Sequence, residues 1–161
     1  MAQTKAIGSV RSMWIGAQSW ALRRLASLSR TPRYAAHLET GTAGEREALF
    51  HLRRSGYTIV ARRWRTARLR GDIDLIAWHG KTLCIVEVKT RTRRDTVPAE
   101  MAVDADKQRI LRLLARAYLR RLPASAREAE VRFDVISVYL EPSPQGAGPH
   151  FDLNQGAFGW A

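Results

Sequence analysis

Cysteine, histidine and long apolar runs are scarce in this chain, and across its first 38 residues acids are missing altogether. The single Cys84 cannot form an intramolecular disulfide, and its place inside an apolar run reads as a small core residue of a protein kept in a reducing compartment. His37, His51, His79 and His150 are scattered without the ligand spacing of a zinc site. No stretch approaches the roughly 18 to 20 apolar residues that a membrane-spanning helix needs, so no transmembrane segment is expected. No internal repeat is visible, and 161 residues suit one domain with tails, long enough to bury a proper core.

Positive charge is what the chain has in excess. Lys and Arg number 27 against 15 Asp and Glu, a formal net charge of +12, and such a balance points to a polyanionic partner. Nucleic acid comes first and an anionic membrane surface second. Lys5, Arg11, Arg23, Arg24, Arg30 and Arg33 stand unopposed ahead of Glu39. Trp14, Ala21, Leu25 and Leu28 line one side of a weak helix, while Arg23-Arg24 interrupts any apolar core of a secretory signal. The composition of this arm fits an organelle transit peptide, a disordered basic tail or an extension from an upstream start codon, and all three stay open. Residues 1–40 are therefore set apart as a basic extension, disordered or weakly helical, from a domain at 41–161, and the whole is read as cytoplasmic.

The charges that are out of place lie in a short hairpin. Gly71-Asp72-Ile73-Asp74-Leu75-Ile76 and Cys84-Ile85-Val86-Glu87-Val88-Lys89 are apolar runs that read as strands buried on both faces, yet each carries charge. A two-residue turn at His79-Gly80 places Asp72 opposite Glu87 and Asp74 opposite Ile85. Asp72, Asp74, Glu87 and Lys89 then share one face, with Asp74 and Glu87 on a diagonal of about 7 to 8 Å between backbones, near enough to reach one cation. Buried carboxylates cost several kcal/mol each without counter-charge, and Lys89 alone does not balance them. A hard divalent ion does, since Mg²⁺ is typically held by one or two carboxylates, waters and phosphate oxygens.

The flanking segments add charge of both signs. Glu45 to Ser55, preceded by Gly41-Thr42-Ala43-Gly44 and closed by Gly56, reads as a helix with Glu45, Ala48, Leu49 and Leu52 on its buried stripe. Helix-dipole preference accounts for a lone first-turn acid, but beside the hairpin acids Glu45 reads as part of, or support for, a metal site. Tyr57 to Ala61 begins a strand that runs into Arg62, Arg63, Trp64, Arg65, Arg68 and Arg70, guanidinium groups with an indole, suited to phosphates and stacked bases. A loop follows Lys89 through Arg91 and Pro98 to Val103 and can close on substrate. Asp104 caps a second helix reaching about Leu122, with Lys107, Leu111, Leu114 and Tyr118 inward and Arg109, Arg112, Arg116 and Arg120 outward. Val131 to Tyr139 is a further strand, Glu141 to Pro149 a Pro/Gly-rich loop, and Phe151 to Leu153 a last short strand.

Taken together, Gly44-Glu45, Gly56-Tyr57, Gly71-Asp72-Ile73-Asp74-Leu75-Ile76, Val86-Glu87-Val88-Lys89-Thr90-Arg91, Lys107-Gln108, Arg132-Phe133-Asp134-Val135 and Asn154 to Phe158 resemble the YraN family of small bacterial proteins. That family is similar to Holliday-junction resolvases and Mrr-type enzymes of the PD-(D/E)xK nuclease superfamily. The resemblance implies an α/β restriction-endonuclease-like core, a mixed β-sheet flanked by helices. It makes Glu45 the helix-borne acid, Asp74 the central metal ligand, Glu87 the second ligand and Lys89 the catalytic lysine, with Mg²⁺ or Mn²⁺ as cofactor. Where relatives have Gly-Glu-Ile-Asp, this chain has Gly71-Asp72-Ile73-Asp74, which keeps the charge and shortens its reach.

The expectation is a metal-dependent endonuclease hydrolysing DNA phosphodiester bonds, branched DNA among them, with Arg62, Arg63, Arg65, Arg70, Arg91 and Lys107 on the nucleic acid. A homodimer is compatible with it. The competing expectation is a nucleic-acid-binding protein that keeps the fold without catalysis.

Overall fold

A computed structural model describes residues 33–91, 103–140 and 148–161. The weak helix suggested by Trp14 to Leu28, the loop through Pro98 and most of the loop after Glu141 lie outside the described residues. The elements run α1 (Arg33–Arg54), β1 (Thr58–Trp64), β2 (Ile73–His79), β3 (Thr82–Arg91), α2 (Ala105–Leu119), the one-turn α3 (Ala124–Arg127), β4 (Val131–Tyr139) and β5 (His150–Phe158). The strands form one sheet in chain order. Among the described residues only β3 and β4 pair in parallel, and they are the two strands joined through a helix, the usual crossover of a parallel pair. Among the described residues no helix is long and apolar enough to cross a membrane.

Each sheet face has its own core. On one, Ala48 and Leu52 of α1 and Tyr57 pack on Leu75, Ala77, Cys84, Val86, Ile136 and Val138. On the other, Leu111, Leu114 and Ala115 of α2 pack on Ile76, Leu83, Ile85, Phe133 and Val135. Strands covered on both sides explain the near-continuous apolar runs, and each fully buried leucine is worth roughly 1.5–3 kcal/mol of transfer free energy. Cys84 is buried, as its setting suggested, and burial first, then the charge of Asp134, pushes its thiol up to about 12.

The first helix starts earlier than its sequence suggested. Gly41 and Gly44 lie within α1, whose first residue is Arg33. Gly44 is there for contact: a Cβ would overlap the Thr90 side chain of β3. The C-terminal end is as read, with Gly56 at φ 91° and the Tyr57 N–H donating to Leu52 O at 3.0 Å. The buried stripe is shifted by one residue, so Glu47 is 1% exposed and Glu45 lies at the margin. Helix α2 has the expected cap, Lys107 N–H donating to Asp104 Oδ1 at 2.8 Å. It ends at Leu119, and Arg121 and Leu122 continue it only as tighter turns onto Tyr118 O and Leu119 O.

The hairpin turn is Gly80-Lys81, with His79 paired to Thr82, in place of the anticipated His79-Gly80. Gly80 has φ 63° and no other residue of the turn has positive φ, which suits a turn of type II′ with glycine leading. The register thus differs from the expected one by two residues. An even slip keeps every side chain on its face. The last strand is longer than the Phe151 to Leu153 segment, nine residues in all, and carries a register irregularity opposite Phe133 and Val135.

Candidate metal centre and nucleic-acid interface

In that register Leu75 pairs with Val86, and Asp74 and Glu87 are the next residues along the two strands, each feeling the other's charge. The expected pairs of Asp72 with Glu87 and of Asp74 with Ile85 give way, Ile85 lying opposite Ile76. Asp72 is half-buried and has Arg65 Nη2 at 4.0 Å from Oδ2. Glu87 is only 4% exposed and is clamped by two lysines: Lys89 Nζ donates to Oε1 at 3.1 Å, and Lys107 Nζ, from the first turn of α2, lies 3.0 Å from Oε2. Lys107 was expected on nucleic acid; it is half-buried beside Glu87, whose charge and that of Asp74 outweigh the cost of burial and hold its ammonium above the ordinary range.

Among the described residues Asp74 has no such partner. Its Oδ2 accepts the Val88 N–H at 2.8 Å. Burial first, then the charge of Glu87, pushes its carboxyl up to about 7, against the pull of the Val88 amide and Lys107. Glu45 adds to the same push from α1. Both oxygens of Glu45 are held by Arg63, Nε to Oε2 at 2.7 Å and Nη2 to Oε1 at 3.0 Å, and Nη2 also donates to Thr42 Oγ1 at 2.9 Å. Among the described residues no three acidic, histidine or cysteine groups converge as a finished metal cage. A carboxylate pair of which one member lacks a cation still fits a divalent ion, which needs only one or two carboxylates from the protein.

Arg62, Arg65 and Arg70 are exposed, Arg91 is half-buried on β3, and Arg63 faces Glu45. Trp64 is not free to stack on a base, because its ring meets Tyr118 edge-on at 5.3 Å and Arg121 covers it at 5.3 Å. The outward arginines of α2 also divide. Arg109 and Arg120 are exposed. Arg112 instead donates to the carbonyls of Gly159 and Ala161, and Arg116 lies over Trp160.

Three features escaped the reading of the sequence. Ser137, paired with Lys89 in the β3–β4 register, is fully buried with no hydrogen-bond partner for Oγ among the described residues. Glu47 is the buried acid of α1, and the stripe Gly44, Glu47, Ala48, Leu52 has helical spacing that would have found it. On the α1 face of the sheet, Asp134 is wholly buried under a fork from Arg132, Nε to Oδ1 at 2.7 Å and Nη2 to Oδ2 at 3.0 Å. The Gly156 N–H and Tyr57 Oη also donate to it, at 3.0 and 3.3 Å.

A mixed five-stranded sheet between helices, with acids and a lysine on adjacent central strands, is an α/β core of the restriction-endonuclease-like class. Within that class the chain belongs to the uncharacterised protein family UPF0102, the YraN family, whose model matches residues 44–138. A UPF0102 protein of Koribacter versatilis is 47% identical over 126 residues, covering 78% of this chain and 86% of the relative. One from Solibacter usitatus is 46% identical over 124 residues, 77% of this chain and 91% of the relative. One from Symbiobacterium thermophilum is 50% identical over 108 residues, 66% and 85% of the two chains.

Proposed function

We propose that this protein is a metal-dependent endonuclease that hydrolyses DNA phosphodiester bonds, branched DNA included. The observation that carries this reading is the charge contact of Asp74 with Glu87 beside Lys89, with Asp74 lacking a basic partner among the described residues. A bound Mg²⁺ or Mn²⁺ supplies positive charge to the scissile phosphate and lowers the pKa of a coordinated water. Asp74 and Glu87 are the groups that would hold it, and Glu45 is the nearby acid in reserve. Lys89 would orient the attacking water and offset negative charge as phosphorus becomes five-coordinate. The exposed Arg62, Arg65 and Arg70 would grip the backbone, a contact that carries no sequence information.

One observation favours a second reading, binding without cutting: Glu45 is held by Arg63 and no three-acid cage is assembled. The two part on incubation of purified protein with linear, forked and four-way DNA in Mg²⁺, Mn²⁺ or EDTA. Cleavage with either metal and none in EDTA supports the nuclease. Binding with no cleavage of any substrate supports the second reading.

A further inference from the structure

Arg63 is the one non-glycine residue with positive φ, at 45°, among the described residues. It sits near the end of β1, past a register irregularity between Ile59 and Ala61. A left-handed backbone at a residue with a Cβ persists only where surrounding contacts hold it. Here those contacts are its grip on both oxygens of Glu45 and on Thr42 Oγ1, which ties the sheet edge to α1. The guanidinium also feels Asp74 and Asp72, so it belongs to the electrostatics of the metal centre.

Among the described residues three of the four acids there have basic partners and Asp74 has none. Glu45, Asp72, Asp74 and Glu87 stand among Arg63, Arg65, Lys89 and Lys107. For an ion at Asp74 to take Glu45 as a further ligand, the cation that now holds both oxygens of Glu45 has to withdraw. Lys89 and Lys107 share Glu87, the most buried of the four acids, and Arg65 is only loosely placed at 4.0 Å from Asp72. Arg63 differs from them: its side chain is 45% exposed while the carboxylate it covers is 15% exposed and its charge reaches Asp74.

We propose that Arg63 is a positioning residue acting through Glu45: it stands in for a cation in the metal-free protein, and on metal binding it releases Glu45 to the ion and becomes free for a backbone phosphate. This rests on the nuclease reading above and adds an element of regulation to it. The bare alternative is a staple between β1 and α1 with no effect on metal.

Mn²⁺ affinity, measured from the electron paramagnetic resonance of free Mn²⁺ in the absence of DNA, separates the two. Arg63→Ala should bind Mn²⁺ about fivefold tighter or more, the lower end of coupling between sites. In a Glu45→Gln background the same change should have no effect, because the acid it withholds has gone. Arg63→Gly, which takes a positive φ without strain, should match Arg63→Ala, and thermal melts check that each variant is folded. Arg65→Ala removes a neighbouring charge of the same sign and should change affinity much less.

Unchanged or weaker binding in both Arg63 variants overturns the proposal, and so does an equal gain in the Glu45→Gln background, which would mean general charge repulsion. If the unmodified protein binds Mn²⁺ and Asp74→Asn abolishes it while Arg63→Ala changes nothing, only this inference fails. If no variant binds Mn²⁺, the metal centre fails and this inference with it.

Discussion

Asp74 and Glu87 follow the Leu75–Val86 pair at the end of the β2–β3 ladder, and the two carboxylates are served unequally: Glu87 has Lys89 and Lys107 within 3.1 Å, Asp74 has the Val88 amide. The unequal service has a pH signature. A carboxyl raised from 3.8 to about 7 holds its proton more tightly in the folded protein than in the unfolded chain.

Its contribution to stability is therefore fully present below the unfolded value and is lost as pH rises through about 7. Metal-free protein should become less stable between about pH 4 and pH 7, and Asp74→Asn should remove that slope. Above pH 7 the variant should be more stable by an amount on the order of 2 to 4 kcal/mol, and below pH 4 the gain should vanish. Urea titrations in EDTA across this range check it, and a variant no more stable at pH 8 than the unmodified protein would refute it.

The Arg132–Asp134 fork lies on the other face of the sheet and answers to different chemistry. Asp134 is 0% exposed, so Arg132→Ala strands a buried carboxylate with only the Gly156 N–H and the Tyr57 hydroxyl. Breaking a buried ion pair from one side costs about 3–5 kcal/mol. The loss should appear as a lower urea midpoint, while Mn²⁺ affinity per folded molecule stays the same.

Some of this was legible in the chain and some was not, for physical reasons. Asp74, Glu87 and Lys89 stand out in the sequence because charge inside an apolar run is costly wherever it falls. Their shared face survived a misplaced turn because strand side chains repeat every two residues. Gly44 was misread as a helix boundary because its reason is Thr90, 46 positions away in β3. The grip of Arg63 on Glu45 depends on a local backbone twist that no residue pattern announces. The Asp134 site needs the β3–β4 pairing, the return of β5 and Tyr57 together, so no local window contains it.

DNA binding should follow exposure and not arginine count. Because each neutralised phosphate contributes about 0.9 to the slope of log affinity against log salt, replacing Arg62, Arg65 and Arg70 by Ala should flatten that slope by about 2 to 3 units. Arg63→Ala in EDTA should leave it unchanged, since that guanidinium is already paired with Glu45. Filter binding on one duplex over a salt series reads both, and an Arg63→Ala effect as large as that of Arg65→Ala would contradict the assignment.

Lys89→Ala separates an enzyme from a binding module. Lys89 is a half-buried cation whose nearest acid, Glu87, keeps Lys107 when Lys89 is lost, so the fold should survive. One contact among many phosphate contacts disappears, and DNA affinity should change by less than about threefold. The cleavage rate should nevertheless fall by about 10²–10³-fold, the cost of removing one preorganised group that stabilises transition-state charge. Asp74→Asn should abolish cleavage through the metal site and leave DNA binding in EDTA unchanged or tighter, because a negative charge facing phosphate has gone. Single-turnover cleavage of four-way DNA in Mn²⁺, alongside binding in EDTA, measures all four quantities. If the unmodified protein cuts and both variants cut at its rate, the activity belongs to other residues; if it binds and never cuts, the acids serve the fold and the protein holds DNA without breaking it.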